Sequence, residues 1–233
     1  MAERYIDYDK VFQDEVKRLN GRKPRLLLHA CCGPCSCHPL EELVPYFEVT
    51  ILYSNSNVYP RSEFERREKE LATLLDDLHR DRGYKVDLLL DDYDYETYMA
   101  DLRPFPDDKE GGRRCQICYE KRLRRAFEVA SEKGFQYVTT TLTLSRFKPS
   151  QVVNRIAARV ALDYPSVKYL HSDFKKRGGI DKGKLIQRQY GLYQQLYCGC
   201  EFSYAGGLER AKKLGLKDLY HAIDGPSKSP ETK

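Results

Sequence analysis

Apolar positions along this chain alternate between two rhythms. Short, nearly continuous apolar or β-branched runs recur at 25–30 (RLLLHA), 48–53 (EVTILY), 84–90 (YKVDLLL), 136–142 (QYVTTTL) and 167–171 (VKYLH). Each has the length and composition of a strand buried on both faces. Between them, apolar residues fall three and four apart, the spacing of a helix with one buried stripe. Tyr5–Leu19 places Val11, Phe12, Val16 and Leu19 on one predicted face and is closed by Asn20-Gly21. Arg61–Arg82 carries Phe64, Leu71, Leu74, Leu75 and Leu78 at the same spacing. Further helices are predicted from Pro39, over a short stretch before Leu102, over Cys115–Lys133, from Pro149 to Leu162, over 181–196 and over 204–214. Residues 103–114 (RPFPDDKEGGRR) hold two Pro and two Gly and are expected to form a loop.

Strands alternating with helices predict an α/β fold: a single doubly wound, mostly parallel sheet with helices on both faces, Rossmann-like or HUP-like. Helical additions are expected at both ends. The chain is expected to form one domain over 1–225, with a disordered tail at 226–233 (PSKSPETK). The first residues lack an apolar leader and no run reaches the length of a membrane span, so a cytoplasmic protein without membrane contact is expected. With 40 Lys+Arg against 35 Asp+Glu, the formal charge of +5 is a mild excess whose distribution matters more than its size.

The cysteines change this picture from fold to chemistry. In a reducing cytosol, eight cysteines in close groups point to metal ligands or redox thiols rather than a disulfide framework. Cys31, Cys32, Cys35 and Cys37 follow the first strand directly, where open α/β sheets bind their ligands. Cys115-Gln-Ile-Cys118 begins a predicted helix, which sets both sulfurs on one face and favours thiolate at the helix N-terminus. Cys31, Cys32, Cys35, Cys115 and Cys118 are thus five candidates for the four thiolates that a zinc ion or a cubane iron–sulfur cluster takes. Cys37 is expected to be a buried thiol. Cys198-Gly-Cys200 suits a pair cycling between dithiol and strained disulfide, with ligation of a second metal as the alternative. No G-x-G-x-x-G fingerprint for a flavin or nicotinamide is present, so electrons would come from metals or thiols.

The segments H-A-C-C-G-P-C, S-N-S-N-V-Y-P followed by E-F-E-R-R, R-C-Q-I-C-Y-E-K-R-L, T-T-T-L-T-L-S, D-F-K-K-R-G-G and Y-C-G-C occur in that order. Together they resemble the cobalamin-independent epoxyqueuosine reductases, the QueH family, over about residues 24–205. The resemblance implies an iron–sulfur oxidoreductase of tRNA processing that reduces epoxyqueuosine to queuosine at the wobble position, the last step of queuosine biosynthesis. It also implies a [4Fe-4S] cluster on Cys31, Cys32, Cys115 and Cys118 and a redox-active pair at Cys198 and Cys200. Cys35, whose position is Asp in some relatives, is left open as an alternative ligand or a ligand to an additional mononuclear iron. A tRNA anticodon loop and an unidentified electron donor are the implied partners. Tyr59, His29 and Asp173 are unranked candidates for the proton donor.

Three basic groups are expected at one end of a parallel sheet: Arg113, Arg114, Lys121, Arg122, Arg124 and Arg125; Arg146 and Lys148; and Lys175, Lys176 and Arg177. Such a rim suits an RNA loop whose bases splay onto aromatic rings, here Tyr59, Tyr119 and Phe147. Two rivals stand beside the reductase. One is a nucleotide-binding hydrolase or ligase, which would need a glycine- and serine-rich loop where the cysteines sit. The other is a zinc-stabilised nucleic-acid-binding module without redox catalysis.

Overall fold

In the computed structural model, which describes residues 4–216, alternation along the first strand divides the core. The chain runs α1 (Tyr8–Arg18), β1 (Arg25–His29), α2 (Gly33–Leu43), β2 (Glu48–Tyr53), α3 (Arg61–Arg82), β3 (Asp87–Leu90) and α4 (Tyr95–Ala100). It continues as α5 (Arg113–Glu132), β4 (Tyr137–Thr140), α6 (Ser150–Ala161), β5 (Lys168–Tyr169), α7 (Gly179–Gln189) and α8 (Glu201–Lys213). Leu26 and Leu28 of β1 pack with Phe12, Leu40, Leu43, Leu71, Leu74 and Ile186, from α1, α2, α3 and α7. Leu27, between them, points the other way, against Leu123 and Phe127 of α5 and Val153 and Ile156 of α6. All three leucines are fully buried, and each such burial contributes about 1.5–3 kcal/mol. That double demand is why the run is uniformly apolar rather than alternating.

The sheet has the order β3-β2-β1-β4-β5 and every pairing is parallel. Leu27 stands opposite Thr50 of β2 on one side and Val138 of β4 on the other. The chain first steps outward through β2 and β3, then returns to β4 on the far side of β1. This reversal opens a crevice at the carboxyl ends of β1 and β4, the place where doubly wound sheets bind ligands.

Several boundaries differ from the sequence expectation, each for a local reason. The buried stripe of α1 is Tyr8, Phe12, Glu15 and Leu19, whereas Val11 is exposed. Helix α2 starts at Gly33, six residues before Pro39, and Pro39 lies inside it. Pro34 falls in the first turn, where its missing N–H costs nothing. Strand β4 ends at Thr140, whose Oγ1 accepts from Leu142 N at 3.1 Å and turns the chain into a 3-10 turn, Thr141–Leu144. Helix α7 ends at Gln189 instead of reaching 196, so it does not run into the last cysteine pair. Gly191 takes φ +59° there and Leu192 N returns to Gln187 O at 3.0 Å, a glycine-terminated helix end. The tail at 226–233 lies outside the described residues.

Candidate active site

The switch-point crevice is built from the backbone outward. Asn55 donates from Nδ2 to Ala30 O at 2.8 Å and accepts at Oδ1 from Arg122 at 2.5 Å, fixing the residue before the first cysteine. Arg122 Nε donates to His29 Nε2 at 3.2 Å, so the His29 Nδ1–H faces Thr140 Oγ1 at 2.9 Å. Burial, and then the Arg122 charge, push His29 down to about 3, so it is a neutral ring. Cys31 follows at the strand end, Cys32 precedes the first residue of α2, and Cys35 and Cys37 lie in the helix itself.

The sulfurs of Cys31, Cys32 and Cys35 all lie within 4.8 Å of one another, and Cys31 and Cys32 approach to 3.6 Å. Among the described residues this is the one group of three potential metal donors that converges so closely. Hydrogen bonds from Cys32 and Cys35 hold the Cys31 thiol well below its ordinary range, with Arg122 and Lys148 adding to the effect against burial. Burial and the bond to Cys31 push Cys32 up, and the bonds to Cys31 and Cys32 push Cys35 up. Of the three thiols, Cys31 is the one the site favours as thiolate. Gln195 Nε2 donates to Cys32 Sγ at 2.8 Å, and Thr141 Oγ1 lies 3.7 Å from Cys31 Sγ. Cys37 is buried as expected, with burial raising its thiol to about 12.

The other four site cysteines gather at the starts of α5 and α8. Cys115, Cys118 and Cys200 each lie near enough to Cys198 to feel its charge. Burial raises all three, and Tyr98 donates to Cys118 Sγ at 3.3 Å. Arg122 stands between the groups, held charged by Cys118, Cys31 and Cys198 in spite of its burial. The Cys198–Cys200 turn is gripped from α3: Arg67 donates to Cys198 O at 3.2 Å and Tyr197 O at 3.4 Å, and its Nε pairs with Glu63 at 2.8 Å. Tyr59 N donates to Gly199 O at 2.7 Å. Gly199 has φ +126°, and a Cβ there would sit 3.0 Å from Arg67 and 3.2 Å from Val58, so the spacer needs glycine on both counts.

A cleft of about 410 Å³ opens over this arrangement, lined in part by Cys31, Cys35, Thr141, Lys148, Gln195 and Cys198. One thiol of the C-x-C pair and two of the triad therefore face the same space. Arg67 and Thr141 fall within the E-F-E-R-R and T-T-T-L-T-L-S segments, but nothing in the sequence assigned either a role, and Gln195 lies in none of the segments. None of Tyr59, His29 and Asp173 lines the cleft. Asp173 is engaged by Ser150 at 2.8 Å and Lys175 at 3.0 Å.

The expected basic rim is mostly spent on internal pairing. Lys121 bonds Asp101, Arg124 bonds Asp163, Arg125 bonds Asp91, and Arg177 bonds Asp9 and Glu42. Arg114 ties down the 103–112 loop through Phe105, Pro106 and Asp108 carbonyls. Tyr119 is 3 % exposed and belongs to the core, so it offers no stacking surface.

Three converging thiols at a strand end, balanced by buried cations, suit a thiophilic metal or an iron–sulfur group. Comparison with known proteins gives this chemistry a family. Residues 26–206 match the family model described as epoxyqueuosine reductase QueH. The chain belongs to the QueH family. All eight cysteines fall inside the matched span. It is similar to the epoxyqueuosine reductase QueH of Staphylococcus aureus, with 36 % identity over 211 residues, 87 % of this chain and 86 % of that protein. That of Staphylococcus epidermidis is 35 % identical over 207 residues, 87 % of each chain. That of Streptococcus pyogenes serotype M1 is 35 % identical over 200 residues, 85 % of this chain and 78 % of the relative. These QueH relatives are named as reductases, so the zinc-module and hydrolase alternatives are not favoured. Among the described residues no helix is long and apolar enough to cross a membrane.

Proposed function

We propose that this protein reduces epoxyqueuosine to queuosine at the wobble position of tRNA, as a cytoplasmic enzyme closing the queuosine pathway. The observation that carries this reading is the single cleft onto which Cys31, Cys35 and Cys198 all open. The reaction breaks both C–O bonds of the epoxide, forms a C=C bond and releases the oxygen as water. It consumes two electrons and two protons. Oxidation of the Cys198 and Cys200 thiols to a disulfide supplies that complement, and a separate reductant, still to be identified, must restore the dithiol.

Cys31, Cys32, Cys115 and Cys118 would hold a [4Fe-4S] cluster. Cys35, whose sulfur converges with two of these, would serve as an alternative ligand or hold an additional mononuclear iron. When bound, such a group supplies one-electron transfer and a Lewis-acidic iron. The chain's own residues do the rest. Arg122 and Lys148 balance thiolate charge beside the cleft, and Arg67 and Tyr59 fix the Cys198–Cys200 turn.

Anaerobic purification followed by iron, sulfide and zinc analysis tests the reading. About four iron and four sulfide per chain are expected, with a further iron if Cys35 is engaged. Cys198→Ser and Cys200→Ser should keep that content and the visible absorption yet lose turnover. A colourless protein with stoichiometric zinc, or full turnover by either Ser variant, would overturn the reading.

A further inference from the structure

The cleft carries more positive charge than thiol chemistry requires. Arg146, Lys148, Lys184 and Arg210 line it against one carboxylate, Glu110. Two of the four are committed elsewhere: Lys184 lies 3.5 Å from Asp181, and Arg210 donates to Leu196 O at 2.9 Å. Lys148 is different. It is only 9 % exposed, it lines the cleft, and among the described residues its ammonium has no hydrogen-bond or ion-pair partner. It feels the Cys198 and Cys31 thiols across the site but bonds neither, and a buried ammonium is costly unless an anion meets it directly. Arg146, two residues before it, also lines the cleft without such a partner among the described residues. Between them, Phe147 is 62 % exposed and lines the same space. An exposed phenyl ring beside two cations that bond no carboxylate is poor packing for a free surface but a good grip for a nucleotide, which offers a flat base next to a phosphate.

We propose that Arg146-Phe147-Lys148 is the nucleotide grip of this enzyme: Lys148 meets a backbone phosphate inside the cleft, and Phe147 stacks on an adjacent base. The assignment rests on the tRNA-reductase reading and names the element that holds the RNA. It places the phosphodiester in the same cleft as Cys31 and Cys198, where the modified base must reach the thiols. The chain between β4 and α6 supplies the grip because the 3-10 turn Thr141–Leu144 carries it out of the sheet at the cleft.

The two contacts leave different signatures in solution. Binding of an unmodified anticodon stem-loop RNA to the metal-loaded protein is measured at several salt concentrations. Lys148→Met should weaken binding and lower the slope of log K against log salt by about 0.7, the share of one phosphate on a single strand. Lys148→Arg, which keeps the charge, should retain the wild-type slope. Phe147→Ala should weaken binding by on the order of tenfold at every salt concentration with the slope unchanged, and Phe147→Tyr should restore it. Since Phe147 is exposed, its variants test the grip even if a Lys148 variant unfolds. Steeply salt-dependent wild-type binding that neither Phe147→Ala nor a folded Lys148→Met alters would overturn the grip alone. Absence of RNA binding by the wild type would overturn the substrate reading and the grip with it.

Discussion

Arg67 and Glu63 are both almost wholly buried, and Arg67 spends its remaining donors on the carbonyls of Tyr197 and Cys198. Breaking such a pair strands a buried charge, so Arg67→Met should lower the unfolding free energy by about 3–5 kcal/mol, read from denaturant midpoints. Replacing both partners with apolar residues, as in Glu63→Leu/Arg67→Met, should recover much of that stability, because no lone charge is then left behind. Turnover should stay low in both variants, since the Cys198 carbonyl is ungripped in each. Recovery of turnover in the double variant would show that Arg67 serves stability only. Gly199→Ala probes the same turn through the backbone. The left-handed region and the 3.0 Å approach to Arg67 both penalise a side chain there, so reduction should be impaired while metal content is kept. The cysteines themselves were legible in the sequence because thiols in close groups have few other uses in a cytosolic chain. Arg67 was legible only as part of the E-F-E-R-R segment: its partners lie about 130 residues away, so nothing local marks it as the clamp on the Cys198 turn.

At the scale of elements, the strand and helix pattern was readable wherever apolar periodicity alone decides it. Residues 48–53 and 61–82 emerged with the expected bounds. The misplacements fall where Gly and Pro act as caps rather than breaks. The helix predicted from Pro39 opens instead at Gly33-Pro34, which carries Cys35 into it. Gly191 sits inside the predicted helix 181–196, yet it ends α7 and releases the segment bearing Gln195 and Cys198. Close packing at the other end of α7 has a sharp test. A Cβ on Gly179 would fall 1.9 Å from Phe174 O and 2.5 Å from the His38 ring. Gly179→Ala should therefore cost about 2 kcal/mol or more and lower Tm by roughly 4–8 °C. Gly206, inside α8, has nothing within 4 Å of such a Cβ. Gly206→Ala should instead stabilise slightly, by about 0.5–1 kcal/mol, through helix propensity. Equal effects at the two positions, measured by thermal unfolding, would contradict the packing described for α7.

For the whole molecule, the order β3-β2-β1-β4-β5 is what makes one site out of distant segments. Placing β4 beside β1 brings Thr141 against Cys31, and with them the Arg146–Lys148 stretch to the cysteines that follow β1 and precede α8. The sequence foretold a parallel sheet but not that order, because periodicity reports what each strand buries and not which neighbour it chooses. For the same reason it overestimated the basic rim: counting cations along the chain cannot show that Arg124, Arg125 and Arg177 are already paired. The central claim is that this cleft removes an epoxide oxygen from a tRNA base. Mass spectrometry after anaerobic incubation of the metal-loaded, reduced protein with an epoxyqueuosine-bearing anticodon stem-loop tests it most directly. The expected product is queuosine, lighter than the substrate by one oxygen atom, with one Cys198–Cys200 disulfide formed per turnover when no further reductant is supplied. An unchanged nucleoside mass from protein that carries its full iron and sulfide would contradict the account.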